Sequence, residues 1–426
     1  MSKTANNPLL IELGGEVDGL RVVRQPPPAG SPSFSATYVG PAGWGFDPTG
    51  EEGTARLVNQ LVTSAAGRYG RVALARRLDR AGATLNRECA PESAEVTIWG
   101  PASSWVDLVG LLADVVLRPR FDPEDVARAR RQFRERQLRE TTQPAPRVER
   151  ELLRAIYPSG HPYRATGHGD RRSVERIARD DLVRFHERHY TSGDGLLVVT
   201  APAPLRTVEE VVRRRFSGFA ESRGPVLKVP TFRPRASALR TIDLPGTSQV
   251  EVRLGGSSLP RSSPQYPAAF LANEVLGGRP LLSRLFQRVR ERGGLAYHAS
   301  SELESMRYGG YWVAQAGTGR DRWRKVVPML KDELARLRDE PVRPSELNAI
   351  RESAIGELPL SLESTADAHD LAVDVAYHRL APDHWTRWPA VLRAVRPREV
   401  QEAASVAFAS GGMSTVLAGP LSDRSA

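Results

Sequence analysis

The hydrophobic pattern of this chain runs through one order of elements and then repeats it. In the first half, Leu57, Val58, Leu61 and Val62 recur at helical spacing and predict a helix over Ala55 to Ala66, followed by a second over Val72 to Arg80. Then come AGATLN at 81–86, a strand-like AEVTIWG at 94–100 and an apolar helix from Trp105 to Leu117. The second half runs from a helix over Tyr266 to Leu276 through LLSRLFQRVR to RGGLAYHA at 292–299, then YGGYWVAQAGT at 308–318 and a helix from Arg322 to Leu337. Each half adds a helix announced by proline at its first turn, FDPEDVARARR and VRPSELNAIRE. Strands joined by helices without strict βαβ alternation favour an α+β architecture, and its duplication is the economical reading.

Between Phe216 and Pro234, proline, glycine and serine collect without periodicity, which makes 216–234 the best linker. The chain then divides into an N-terminal domain over 1–215 and a C-terminal domain over 235–426. The longest apolar run, Trp105 to Leu117, is broken by Asp107 and Asp114 and falls short of the ~20 residues that a membrane span needs. The first residues lack the pattern of a secretory signal and Cys89 is the one cysteine, so a cytoplasmic setting is expected.

A net charge of +10 raises the question of nucleic acid, but only four of the 60 basic residues are lysines and the arginines are mixed with acids through both halves. The densest cluster, ARARRQFRERQLRE at 127–140, has no interleaved aromatic series, so neither nucleic acid nor membrane is expected as a partner.

The stretch GTARLVNQLV at 53–62 carries the candidate chemistry. Arg56, Asn59 and Gln60 fall at i, i+3 and i+4, the spacing at which a helix presents two metal ligands and a catalytic carboxylate on one face. None of the three is a good zinc ligand. Guanidinium stays protonated, and an amide is neither a strong ligand nor a general base. The histidines offer no substitute: His161 sits in a G-H-P turn, His186 and His189 in HERH lack a third ligand, and Asp367, His369, Asp370 and His378 read as satisfied polar groups on a later helix.

SLPRSSPQYPAAFLANEVLGG at 258–278, SRLFQRVRERGGLAYHASS at 283–301, SGHPYRATGHGD at 159–170, DDLVRFHERHYTSGDGLLVVTAP at 180–202 and IGELPLSLEST at 355–365 together resemble the M16 peptidase family, which includes pitrilysin and the mitochondrial processing peptidase. The resemblance implies two homologous α+β domains of the LuxS and processing-peptidase metallohydrolase type, each a mainly antiparallel sheet with helices on one face. Active members carry H-x-x-E-H on the helix matching GTARLVNQLV, which sets Arg56 and Gln60 at the histidine positions and Asn59 at the glutamate. The distal ligand, about 76 residues on, falls at Arg136, with Glu135 restored by a shift of one residue. No metal is then expected in this chain, and no peptide hydrolysis by it alone.

The same resemblance singles out Arg290 and Tyr297 in VRERGGLAY, matching an Arg and Tyr held to contact the substrate backbone and the developing oxyanion. Arg290 closes a helix expected to bury Leu281, Leu282, Leu285, Phe286 and Val289, with Gly293 or Gly294 as its cap. Lost ligands with a retained Arg/Tyr pair resemble the non-metal subunit of heterodimeric bacterial M16B-type peptidases, whose H-x-x-E-H sister chain holds the zinc. Unfolded peptides, leader or precursor peptides among them, would be the substrates, added to the edge strand marked by Asn86. A structural or peptide-binding scaffold without proteolytic role is the alternative.

Overall fold

The computed structural model describes residues 7–219, 224, 226–233, 238–409 and 412–421, so the linker expected at 216–234 lies partly outside the described residues. In chain order the first half forms β1 (Glu12–Val17), β2 (Leu20–Gln25), β3 (Ser33–Gly40), α1 (Thr54–Val62), α2 (Arg71–Ala81), β4 (Thr84–Cys89), β5 (Ala94–Pro101), α3 (Trp105–Leu117), α4 (Pro123–Thr142), α5 (Pro144–Ile156), α6 (Arg171–Arg176), α7 (Arg179–His189), β6 (Leu196–Thr200) and α8 (Leu205–Arg215). The second half forms β7 (Leu239–Asp243), β8 (Val250–Ser258), α9 (Tyr266–Asn273), a π-helical segment (Phe286–Arg292), β9 (Ala296–Ser305), β10 (Gly310–Thr318), α10 (Trp323–Asp339), α11 (Pro344–Leu360), α12 (Thr365–Tyr377), α13 (His384–Ala394), α14 (Pro397–Ala407) and β11 (Ser414–Gly419).

The strands make two sheets, ordered β1-β2-β6-β3-β5-β4 and β7-β11-β8-β10-β9. In each, one neighbouring pair is parallel, β2 with β6 and β7 with β11, and the others are antiparallel. Five strands therefore recur with the same order and sense, as a duplicated domain requires. The edge strand β4, which carries Asn86, corresponds to β9, which carries Tyr297.

The described residues gather into two compact units that do not follow the chain halves. One draws on Met1–Gln137, Gly167–Lys228 and Leu358–Arg387, the other on Leu138–Thr166, Val229–Glu357 and Trp388–Ala426. Each unit thus takes one helix from the opposite half, α12 in the first and α5 in the second, where the sequence reading has contiguous domains.

The borrowed helices also explain a strand pattern. In the first unit, Val22, Ala36, Leu197 and Val199 face a core built with α1, α3, α7 and α8, while Val23, Val39, Leu196 and Val198 pack with Ala372, Val373, Val375 and Ala376 of α12. β6 is accordingly buried at every position, a continuous apolar run of the kind produced when both faces of a sheet are covered. In the second unit, Val148, Leu152, Leu153 and Ile156 of α5 pack with Val313, Val416 and Ala418. Helices thus cover both faces, where the expectation placed them on one. No helix among the described residues is long and apolar enough to cross a membrane.

Candidate functional site

Helix α1 buries Leu57, Val58, Leu61 and Val62 in the core and turns Arg56 and Gln60 the other way. Its start is fixed by Asp47, whose carboxylate accepts from the backbone N–H groups of Gly53 and Ala55, both at 2.7 Å. Arg56, Asn59, Gln60 and Arg136 all line one pocket of about 400 Å³, together with Phe133 of α4 and Leu85 to Cys89 of β4. The four positions singled out in the sequence, and Asn86, are therefore neighbours in space.

Each of the α1 side chains has a structural engagement. The Arg56 guanidinium stacks 4.3 Å from the centroid of the Trp44 ring. Gly167 lies against this pair at φ +75°, and a Cβ there would stand 2.6 Å from the Trp44 ring and 2.7 Å from Arg56 Nε. A side chain at 167 would be both strained and in collision. The buried Asn59 donates from Nδ2 to the Glu95 carbonyl oxygen at 3.0 Å, tying α1 to β5, and Gln60 donates to Gln132 of α4.

This donor set does not fit zinc. A catalytic site needs three imidazole, thiolate or carboxylate ligands and an open position. The pocket offers guanidinium and amide groups, the exposed carboxylate of Glu88, and the Cys89 thiol, which burial pushes up to about 12. Glu135 is exposed and does not line the pocket; Arg136, one position on, does. Among the described residues no group of three His, Cys, Asp or Glu side chains is placed to hold a metal ion.

The histidines serve the fold. His161 Nδ1 accepts from the Tyr163 N–H at 3.1 Å, and its ring stacks on Tyr157. His186 and His189, three residues apart, donate in different directions, Nε2 to the Val116 carbonyl at 2.8 Å and Nδ1 to the Pro41 carbonyl at 3.0 Å. Asp170 caps α6 by accepting from the Ser173 N–H, and Asp367 is bound by Ser364 at the start of α12.

The second candidate region departs from its expected helix. Leu281 is 67% exposed at φ +65°, and Leu282 is also exposed, in a turn where the Leu282 N–H donates to the Pro280 carbonyl. Proline and the left-handed Leu281 delay the helix, so Leu285 and Val289 alone of the apolar set are fully buried. Phe286 to Arg292 is π-helical, a wide turn that changes the direction in which the last side chains leave the axis. Gly294, at φ +56°, is the residue that stops it, and its carbonyl accepts from Arg322 Nη1 at 2.7 Å.

Arg290 is exposed, with its guanidinium 4.9 Å from the Phe286 ring centroid. Tyr297 is 67% exposed. On β10 the register steps from Gly317 opposite His298 to Thr318 opposite Ala296, so Tyr297 is the extra residue of a β-bulge. A bulge at a strand's start re-aims one side chain without disturbing the ladder beyond it. Sequence reasoning missed this, and it missed Arg87, which lines the first pocket. Alternation from Leu85 was the signal that puts Arg87 on that face.

Two sheets of matching topology, one beside a pocket at the metallopeptidase helix position, define the class of two-domain metallopeptidase-like chains. The chain belongs to the M16 peptidase family. The family profile described as insulinase (peptidase family M16) matches residues 30–166, and that described as peptidase M16 inactive domain matches residues 176–354. An uncharacterized zinc protease of Mycobacterium tuberculosis is 28% identical over 350 residues, covering 82% of this chain and 79% of that one. Another, from Streptomyces coelicolor, is 30% identical over 203 residues, 45% of this chain and 43% of the relative. A peptidase M16 inactive domain from Pseudomonas fluorescens superposes with a TM-score of 0.90 at 21% identity, over 97% of this chain and 98% of that one. A protease from Helicobacter pylori gives 0.88 at 17% identity, over 96% and 99%.

Proposed function

We propose that this chain is the zinc-free subunit of a two-chain M16 endopeptidase acting on unfolded peptides in a cytoplasmic setting, with Arg290 and Tyr297 completing the zinc site of an H-x-x-E-H sister chain. The observation that carries this reading is a contrast. Arg56, Asn59 and Gln60 are engaged in stacking and hydrogen bonds that build the domain, whereas Arg290 and Tyr297 are exposed and Tyr297 is turned out by a bulge. Their roles would be to donate hydrogen bonds, the guanidinium to the substrate backbone and the phenol to the developing oxyanion. Losing one such donor costs on the order of 10² to 10³ in turnover.

The experiment is reconstitution. The purified chain should contain no zinc by elemental analysis and cleave no unfolded peptide, and adding an H-x-x-E-H sister chain from the same genome should yield activity. Arg290→Ala or Tyr297→Phe should lower the turnover of the pair with assembly intact by gel filtration. Unchanged turnover would remove both residues from the reaction and leave the scaffold reading.

A further inference from the structure

The pocket that does not suit a metal suits an anion. Three guanidinium groups line it from three elements, Arg56 from α1, Arg87 from β4 and Arg136 from α4. Arg87 Nη1 donates to the Thr63 hydroxyl at 3.1 Å. Arg87 and Arg136 are both exposed at their outer ends, and the Arg87 pKa is lowered first by partial desolvation and then by Arg136, so the fold holds like charges together. Among the described residues no carboxylate lies within ion-pair distance of Arg87 or Arg136. Glu88 also borders the pocket and its charge acts on its neighbour Cys89 as well as on Glu95 and Asp370, but its register partner is Glu95, one residue out of phase with Arg87 on β4. The amide groups of Asn59 and Gln60 complete the polar lining on the face of Arg87, Asn86 sharing the phase of Glu88. β4 is also the end strand of its sheet, so one side of its backbone is unpaired beside the pocket.

We propose that the pocket binds the carboxylate side chain of an extended peptide that adds to β4. An added strand presents every second side chain to the pocket's face of the sheet. Arginines arranged around one space then offer forked donors that match a carboxylate in geometry and in charge. The ligand class is an unfolded peptide with an acidic residue in its β4-paired segment. This rests on the reading above in taking a peptide as the ligand, and it adds a charge preference that the chain should show without a sister subunit.

The test is fluorescence anisotropy with the purified full chain and two labelled peptides of about twelve residues. Both are acetylated and amidated at the ends and differ only in one central Glu or Gln, so the Glu side chain is the sole carboxylate. The Glu peptide should bind about tenfold more tightly, with the preference shrinking towards about 0.5 M salt. The Arg87→Gln/Arg136→Gln double variant should lose the preference while keeping its circular dichroism, and an exposed control, Arg172→Gln, should retain it. Equal binding of the two peptides by the native chain, or a preference that survives in the double variant, overturns the proposal. Neither result depends on turnover with a sister chain, so this failure is distinguishable from failure of the two-chain reading.

Discussion

His369 is wholly buried and bonded at both ring nitrogens, Nδ1 to the Thr200 hydroxyl at 2.7 Å and Nε2 to the Thr37 hydroxyl at 2.8 Å. Gln25 sets the direction of this network. Its amide nitrogen donates to the carbonyls of Pro8 and Ala368, and its oxygen accepts from Thr200, so Thr200 is free only to accept from His369 Nδ1. Burial holds His369 neutral and pushes its pKa down to about 3; His161, His186 and His189 are pushed down to about 4, also by burial. A histidine whose folded pKa lies below its unfolded value leaves stability intact above about pH 6.5 and removes it as pH falls towards the folded value. Asp47 and Glu95, raised to about 7 by burial, act in the opposite sense between about pH 7 and 4 and offset part of the loss. Glu251, Glu274 and Asp370 are raised by burial as well and act in the same sense as Asp47 and Glu95. Urea melts between pH 7 and pH 5 isolate the histidine: relative to the native chain, His369→Gln should remove about 1.4 kcal/mol per pH unit of acid destabilisation while lowering stability at pH 7. An unchanged slope would mean that His369 titrates normally in the folded chain.

Helix α12 shows what an element contributes when it comes from the far half of the chain. Its apolar side, Ala368, Ala372, Val375 and Ala376, is buried, and the last three residues cluster with Val23, Val39, Leu196 and Val198. Ala372→Glu would set a carboxylate against those side chains and should destabilise the first unit by roughly 3 kcal/mol or more, read as a lowered thermal midpoint. Ala366→Glu, exposed in the first turn of the same helix, should be near neutral. Local periodicity made α3 legible to the residue and placed α2 within one at either end. It overran α1, because the Thr63 and Ser64 hydroxyls bond back to the Gln60 carbonyl and the chain then bridges Ala66 to Pro119. The docking of α12, the bulge at Tyr297 and the π-helical turn before it depend on partners distant in sequence or on a widened helix, and no pattern of period 2 or 3.6 encodes them. The helix itself was legible after SLEST, but the one trace of its docking was the unbroken apolar run of β6.

At the scale of the molecule, the sequence carried the duplicated order of elements and the convergence of Arg56, Asn59, Gln60, Asn86 and Arg136 on one pocket, because helical spacing and family motifs are local signals. What it did not carry is that Arg87 joins Arg56 and Arg136 in that pocket. The consequence can be tested by restoring the motif with Arg56→His, Asn59→Glu and Gln60→His. Two imidazoles would then face the pocket beside Arg136, whose guanidinium is not a metal ligand. Glu at 59 would replace an amide that donates to the Glu95 carbonyl, leaving two acceptors opposed in a buried place. Stability should fall by about 1 to 3 kcal/mol. Arg87 would add a cation beside any incoming metal. The triple variant should therefore retain less than stoichiometric zinc after dialysis and cleave no unfolded peptide alone. Stoichiometric zinc together with turnover by this single chain would show that three substitutions on α1 suffice to make a zinc site in this pocket.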